Sequence, residues 1–503
     1  MDGSSRDMIL EDQALAPFEP ILSQLYELAQ RNGISELEKK GYKQADFENS
    51  PSVRREFIRA CHYGYDLAQR KTAKLVIAME EEVARLTAEL KEHRRKRDPE
   101  AKNVLRRIQV IRNRQITLRR LVDSILFTII QQQNWLFRRF TIDLGIHNFD
   151  PNVLNRTVQV AVDRNREDRM KFNLVSDLST VVQIGDLIEI DASAEGAGKW
   201  KAIELKQGAM NEVLSGLIGQ EKVSGDVVAV VKSTLGEKAA KQARRMIRQA
   251  HRVSELDRIV ATDRGIDPLN EVETLMTPDI LTLDNYCNEI EKVYERAKQK
   301  GTAALELSGC LRIFAITECK AKGRAGEAAA HQFFHMANRD RQCAFSSEGS
   351  TVGYSEETGM LKTVPYFVDI VDYNLNVPIA DPIFVWPNRR MVFDLVMGRV
   401  RIFVQFDCEA FFRFANEHEI KIRWIKGKEA EEVKKFSMRL PGTDDAWGIL
   451  AELPNGDRAT LLAGFLARPF ANCTTPRQMI EMITDMRDQL VKTDPNKKFE
   501  SPI

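Results

Sequence analysis

The chain has few cysteines for its length, and none of them are paired in a metal-binding spacing. Its 503 residues include seven cysteines, and no Cys-x-x-Cys pair occurs. This scarcity argues against a zinc ribbon and against a thioredoxin-type redox site. Isolated cysteines favour reduced thiols, so we expect a cytoplasmic location. The cysteines stand at positions 61, 287, 310, 319, 343, 408 and 473.

Long apolar runs and an excess of one charge are also missing. The longest apolar segment, Leu121 to Ile130, contains Asp123 and is about half as long as a membrane span requires. The first residues lack the basic region and apolar run of a signal peptide. The chain has 74 Lys and Arg residues and 73 Asp and Glu residues, so its net charge does not indicate a particular kind of binding partner. We expect a multidomain globular protein with no membrane association.

Several catalytic motifs are absent as well. Gly198-Lys199 lacks the glycine five residues earlier, and Trp200 stands where a phosphate-binding loop needs Ser or Thr. No Gly-x-Ser-x-Gly elbow of a serine hydrolase occurs. His331 and His335 are four residues apart, but the His-Glu-x-x-His zinc pattern does not accompany them.

The first 140 residues read as helix, because few glycines interrupt apolar residues at helical spacing. The pattern predicts one long helix over 70–97, a break near Pro99, and a second helix over 103–140. Two long helices joined by a short turn indicate a coiled-coil-like hairpin or arm. Such an arm would suit homo-oligomer formation.

The join between these helices is basic. From Lys91 to Arg120 there are twelve Lys or Arg and three Asp or Glu, a net of +9. Such a run of basic residues is typical of a solvated helix face. It is also typical of a surface that binds the phosphate backbone of a nucleic acid.

Two apolar stretches in the middle of the chain carry the most specific chemical signal. Val181 to Asp191 and Lys199 to Gly208 both read as strands, and the Gly-rich segment 192–198 suits a hairpin loop. Asp186 lies on the first strand. Glu204 and Lys206 lie on the second at positions i and i+2, which share one face of a strand. Pairing of the strands would bring two carboxylates and an ammonium together.

These side chains suit hydrolysis of a phosphodiester with Mg²⁺ or Mn²⁺. Magnesium prefers oxygen ligands, which the carboxylates of Asp186 and Glu204 and the backbone carbonyl of Leu205 could provide. Lys206 could orient a water molecule or stabilise the negative charge on the phosphate. The alternative is that all three side chains are ordinary polar residues at strand ends.

An amphipathic helix is predicted over 235–260. Its apolar residues recur near a 3.5-residue spacing, and its other faces are basic. The polar residues that could contact nucleic acid are Lys241, Gln242, Arg244, Arg245, Arg248 and Arg252.

The pattern of Gly185-Asp186 and Glu204-Leu205-Lys206, with 17 residues between the two acids, resembles the PD-(D/E)XK nuclease superfamily. The resemblance implies a restriction-endonuclease-like mixed sheet flanked by helices. It implies that Asp186 and Glu204 bind the metal, that Lys206 is catalytic, and that the basic helix faces nucleic acid. Many members also have an acid on a preceding helix, for which Asp143 and Glu167 are candidates.

The expected organisation is multidomain α/β. It comprises a helical arm over 1–140, a nuclease-like domain over 141–335, and an α+β domain of unassigned role over 336–503. Cys310 to Glu318 reads as a buried strand, and the apolar runs 366–373 and 391–406 also suggest strands. The leading hypothesis is an Mg²⁺-dependent endonuclease acting on DNA, in line with the phage-defence role of many nucleases of the superfamily. Cleavage of RNA is a weaker option. The alternative hypothesis is an inert nuclease-like scaffold or sensor that acts through its arm and C-terminal domain.

Overall fold

The structure is a computed structural model. It describes residues 16–141, 149–193, 199–203, 205, 228–229, 231–237, 264–266, 273–275, 285–317, 367–434 and 446–493, together with residues 240, 243–244, 247, 254–255 and 258.

The α-helices of these residues vary from single turns to a helix of 46 residues. In chain order they are α1 Glu19–Tyr26, α2 Asn32–Lys39, α3 Gln44–Asn49, α4 Pro51–Lys96, α5 Ala101–Ile129, α6 Asn134–Arg139, α7 Pro151–Glu167, α8 Cys287–Lys300, α9 Ile370–Asn376, α10 Arg389–Val396, α11 Cys408–Glu417, α12 Ala430–Val433, α13 Ala463–Leu466, α14 Arg468–Ala471 and α15 Pro476–Thr493.

The strands form small sheets with the orders β1-β2-β3, β4-β5, β6-β7-β9-β8 and β10-β11-β12, and every described pair is antiparallel. The strands are β1 Lys171–Val175, β2 Leu187–Asp191, β3 Lys199–Ile203, β4 Arg264–Ile266, β5 Glu273–Leu275, β6 Thr302–Leu307, β7 Leu311–Thr317, β8 Phe367–Asp369, β9 Val400–Phe406, β10 Lys421–Lys426, β11 Ala446–Glu452 and β12 Arg458–Leu462. The protein therefore combines helices with small sheets and begins with a helical region, as expected. The finer restriction-endonuclease-like arrangement stays a prediction.

The two long helices expected near the N-terminus are present, and the chain breaks between them next to Pro99. The first begins at Pro51 and not at residue 70 as predicted. Arg97 adopts a φ of +53°, which ends α4. Asp98 then caps the start of α5, because its carboxylate accepts a hydrogen bond of 2.9 Å from the backbone N–H of Glu100. Leu86 and Leu90 of α4 pack on Val104 of α5, so the two helices form an antiparallel hairpin.

The second helix is shorter than predicted, and the continuation to Phe140 was wrong. Gln131 and Gln132 adopt φ values of +56° and +59°. Their backbone N–H groups donate to the carbonyls of Thr128 and Phe127, which is the hydrogen-bond pattern of a Schellman cap. Such a cap usually contains glycine, and because glutamine stands there in this chain, the sequence did not indicate the end of the helix.

The basic join is partly neutralised by ion pairs within the hairpin. Arg107 lies 3.4 Å from Glu82, and Arg112 pairs with Glu80. Arg120 is fully buried and lies 3.0 Å from Asp123. For these three arginines, a solvated or packed helix face explains the charge better than a phosphate-binding surface does.

The chain forms two compact units. The central unit comprises Gln24–Ala78 and Ile125–Met276, and the terminal unit comprises Met1–Ser23, Met79–Ser124 and Thr277–Ile503. Each of the long helices α4 and α5 contributes residues to both units.

The central unit contains the β1-β2-β3 sheet, on which α7 packs through buried residues such as Leu154 and Val158. Strand β1 lies at the edge of this sheet. The side chain of Gln69 bonds the Asn173 carbonyl at 2.9 Å and the Val175 N–H at 3.2 Å, so these edge groups are satisfied.

The strand predicted over 181–191 begins only at Leu187. Before it, the hydroxyl of Ser179 accepts hydrogen bonds from the N–H groups of Val181 and Val182, and Gly185 adopts a φ of +64°. The left-handed φ of Gly185 interrupts the extended conformation, and residues 181–184 form an irregular segment in which Val181, Val182 and Ile184 are buried.

The terminal unit is built around the sheet β6-β7-β9-β8, whose strand β9 is buried along its whole length. The predicted strand Cys310 to Glu318 is present as β7. It pairs with β9, so segments on both sides of residue 335 form one sheet. Two apolar runs expected to be strands form the helices α9 and α10 instead, capped by Asp369 and Asn388.

Candidate active site

Asp186 lies immediately before β2, at a point where the chain turns tightly against β3. The preceding residue, Gly185, has a φ of +64°, and a Cβ atom there would lie 3.1 Å from the carbonyl oxygen of Ile203. Both the backbone conformation and the close approach favour glycine. The sequence therefore needs glycine at this position to bring Asp186 next to the end of β3.

Hydrogen bonds fix Asp186 at this turn. Its N–H donates to the carbonyl of Ile203 at 2.8 Å, and its carbonyl accepts from the N–H of Ser176 at 3.0 Å. Its carboxylate oxygen Oδ2 accepts from the backbone N–H of Leu205 at 2.5 Å. The half-buried Asp186 carboxylate thus contacts the segment that follows β3.

The predicted hairpin of the two strands is present, but the second strand is shorter than the predicted 199–208. It ends at Ile203, and Leu205 lies outside it, so the prediction that the strand continues through this residue was wrong. β2 and β3 pair antiparallel, with Leu187 opposite Ile203 and Asp191 opposite Lys199. Of the predicted site residues, Asp186 and Leu205 are described and in contact. Glu204 and Lys206 lie outside the described residues. Among the residues that the structure describes, no group of three His, Cys, Asp or Glu side chains could hold a metal ion.

The candidates for a further acidic ligand remain apart from this site or outside the described residues. Glu167 is exposed at the last position of α7. Asp143 lies outside the described residues. Neither gains support as a ligand from the described geometry.

The amphipathic helix predicted over 235–260 is described only in part, and each of its described residues is helical. Ala243 is buried, as its place in the apolar stripe predicts. Arg244 is exposed and lies 3.7 Å from Glu237, so its charge has a carboxylate nearby. The other proposed contacts, which are Lys241, Gln242, Arg245, Arg248 and Arg252, lie outside the described residues.

The structure also contains a polar cavity that sequence reasoning missed. It has a volume of about 240 Å³ and lies within the central unit, between the middle of α4 and the turn that joins α7 to β1. Its lining contains four cations, which are Arg70, Arg166, Arg169 and Lys171. The other lining residues are His62, Tyr63, Asp66 and Asn165. The two contributing segments are about 100 residues apart in the chain, so no local pattern could have joined them.

Buried polar groups hold the base of this cavity in place. Asp66 accepts hydrogen bonds from Asn165 at 3.1 Å and forms an ion pair with Arg70 at 3.0 Å. His62 is buried, and its Nδ1 lies 3.1 Å from the carbonyl oxygen of Arg169. Burial lowers the pKa of His62 to about 4, so this ring is neutral at pH 7.

The described residues include no helix that is long and apolar enough to cross a membrane. Comparison with protein-family models, with curated proteins and with solved structures found no match.

Proposed function

We propose that the protein is a metal-dependent nuclease that hydrolyses phosphodiester bonds, with DNA as its substrate and its catalytic residues in the central unit. One observation carries the proposal: the Asp186 carboxylate is hydrogen-bonded to the backbone of Leu205, the middle residue of Glu204-Leu205-Lys206. Consecutive Cα atoms are only about 3.8 Å apart, so this contact supports convergence of all three charged side chains.

The chemistry of the donor set suits a hard divalent cation. Carboxylate and carbonyl oxygens are the ligands that Mg²⁺ and Mn²⁺ prefer. A carboxylate has about four lone-pair sites, so the backbone hydrogen bond to Oδ2 of Asp186 is compatible with coordination. We assign Asp186, Glu204 and the carbonyl of Leu205 as ligands. When bound, the ion supplies an activated water molecule and charge neutralisation.

The chain's own residues perform the remaining tasks. In this proposal, the ammonium of Lys206 stabilises the negative charge that develops on the phosphate. The hydrogen bonds of Asp186 to Ile203 of β3 and to Leu205 after it hold its carboxylate in position before substrate binds, which reduces the reorganisation needed for catalysis. The basic face that contains Arg244 provides contacts to the nucleic-acid backbone.

Incubation of the purified full-length protein with plasmid DNA, linear DNA and RNA tests this function directly. We expect cleavage of DNA with Mg²⁺ and none with EDTA. Lys206→Ala should reduce the rate by at least about 100-fold, in the range of a lost charge-stabilising donor. Lys201→Ala, on the exposed part of β3, is the matched control and should cleave normally. Unchanged cleavage by Lys206→Ala would refute the assigned role, and absence of cleavage in every arm would favour the inert scaffold.

A further inference from the structure

The cavity between α4 and the α7–β1 turn has an excess of positive charge. Four of its lining residues are cations, and one, Asp66, is an anion. His62 adds no charge at pH 7, because burial lowers its pKa to about 4. Burial also fixes Asp66 beneath the cavity, where its carboxylate is already engaged by Arg70 and Asn165. The lining therefore has one carboxylate for four cations, and that carboxylate pairs with Arg70.

Two of these cations are held with their heads near the surface. The guanidinium of Arg169 lies over the ring of Tyr63, 4.8 Å from its centroid, and Tyr63 is 42% exposed. The stacking restricts the guanidinium while its N–H donors remain at the edge of the plane. Arg166 is exposed on the last turn of α7. Planar guanidinium groups match the oxygens of a phosphate through paired hydrogen bonds.

The other two cations of the cavity come from α4 and β1. Arg70 is anchored to Asp66 at 3.0 Å, and its buried Nε makes no hydrogen bond within the described residues. Lys171 is the first residue of β1, and its ammonium lies 3.5 Å from the carboxylate of Asp191. An ammonium has three N–H donors, so it can bind a second partner as well. Hydrogen-bond donors therefore line the cavity both on α4 and on β1.

We propose that this cavity binds a phosphate group through Arg70, Arg166, Arg169 and Lys171. A phosphate carries up to two negative charges and several acceptor oxygens, which suits three guanidinium groups and an ammonium better than a single carboxylate would. The volume of about 240 Å³ admits a phosphate together with part of the group that bears it. The exposed Tyr63 beside it offers a ring on which a nucleobase can stack.

The phosphate site is separate from the proposed catalytic residues. Lys171 pairs with Asp191, whereas Val175 pairs with Leu187, next to Asp186. The cavity thus lies at the opposite end of β1 and β2 from Asp186, about 17 Å away along the strands at about 3.3 Å per residue, since five residues separate Asp191 from Asp186. Binding of phosphate here does not depend on cleavage, so the two proposals can fail independently.

Thermal stabilisation and calorimetry of the full-length protein in EDTA test the site without any cleavage. The probes are inorganic phosphate, adenosine 5′-monophosphate, and a short single-stranded oligonucleotide with either a 5′-phosphate or a 5′-hydroxyl, each against NaCl of equal ionic strength. The variants are Arg166→Gln and Arg169→Gln. The matched control is Arg156→Gln, an exposed arginine on the same helix that does not line the cavity.

We expect inorganic phosphate to bind the wild type and Arg156→Gln equally, and both cavity variants at least about tenfold more weakly. Tighter binding of the 5′-phosphorylated oligonucleotide than of its 5′-hydroxyl form would identify a nucleic-acid end as the source. Equal affinity for inorganic phosphate and adenosine 5′-monophosphate would identify free phosphate. Absence of binding by every phosphate probe, or equal binding by all four proteins, would overturn the proposal.

Discussion

The carboxylate of Asp186 accepts a hydrogen bond of 2.5 Å from the backbone N–H of Leu205, which is 19 residues further along the chain. The contact joins the turn before β2 to the segment after β3. It places the first acid of the sequence pattern against the segment that contains the second acid and the lysine. The geometry of this turn depends on Gly185.

Gly185→Ala should destabilise the central unit more than an alanine at an open glycine does. Both Gly185 and Gly41 have left-handed φ values, and alanine in that conformation costs about 1 kcal/mol or more at either position. At Gly185 the new Cβ would also lie 3.1 Å from the backbone oxygen of Ile203, whereas at Gly41 nothing lies within 4 Å. We expect a loss of about 2 kcal/mol or more for Gly185→Ala, because the backbone must also shift.

Urea unfolding followed by tryptophan fluorescence measures both changes, with Gly41→Ala as the control for conformational strain alone. Equal losses of unfolding free energy in the two variants would contradict the close approach of Gly185 to β3.

The difference between what the sequence predicts and what the structure contains has physical causes here. The hairpin of β2 and β3 follows from β-branched residues that flank a Gly-rich loop, and the long helices follow from a region with few glycines. The segment 181–186, with Val181, Val182 and Ile184, also resembles a strand, but the left-handed Gly185 and the hydroxyl of Ser179 override that local preference. Periodicity does not reveal such a turn.

Two other differences carried a signal that periodicity obscured. The runs that become α9 and α10 are apolar enough to suit a buried strand, yet each is preceded by a capping residue, Asp369 or Asn388. Their side chains accept hydrogen bonds from the first turn, which favours helix. The phosphate cavity had no such signal, because its residues come together only through packing of α7 and β1 on α4.

The buried His62 should make the central unit sensitive to mild acid. Burial lowers its folded-state pKa to about 4, below the unfolded value of about 6.5. The unfolded state therefore binds more protons between these values, so stability falls as the pH decreases through this window. From pH 7 to pH 5 the contribution that is lost amounts to about 2 kcal/mol.

His62→Gln removes the titrating group and retains a hydrogen-bond donor for the carbonyl of Arg169. Its unfolding free energy should change less between pH 7 and pH 5 than that of the wild type. His418→Gln, which removes an exposed imidazole, is the matched control. The same pH dependence in the wild type and in His62→Gln would show that another group governs acid sensitivity.

The buried arginine of the helical hairpin should be important for the stability of the terminal unit. Arg120 is fully buried, pairs with Asp123 at 3.0 Å, and donates to the carbonyls of Pro378 at 2.9 Å and Ala380 at 2.6 Å. Arg120→Gln removes the guanidinium that pairs with the buried Asp123 and donates to both carbonyls, and breaking a buried pair of this kind costs about 3–5 kcal/mol. Urea unfolding measures this loss.

Arg423 provides a matched arginine–carboxylate pair at the surface, where it contacts Glu429 at 2.6 Å. Solvent screens this pair, so Arg423→Gln should change the unfolding free energy little. Similar effects of the two substitutions would contradict the structural role given to Arg120.

A calorimetric titration of Mn²⁺ into the full-length protein and three variants tests the central claim, that Asp186 and Glu204 hold one divalent ion. Asp186→Asn and Glu204→Gln each remove a proposed ligand, whereas Asp191→Asn removes an acid at the other end of β2. We predict that the first two variants bind Mn²⁺ at least about tenfold more weakly than the wild type, and that Asp191→Asn binds it equally well. Equal binding by all four proteins, or no binding by the wild type, would contradict the account.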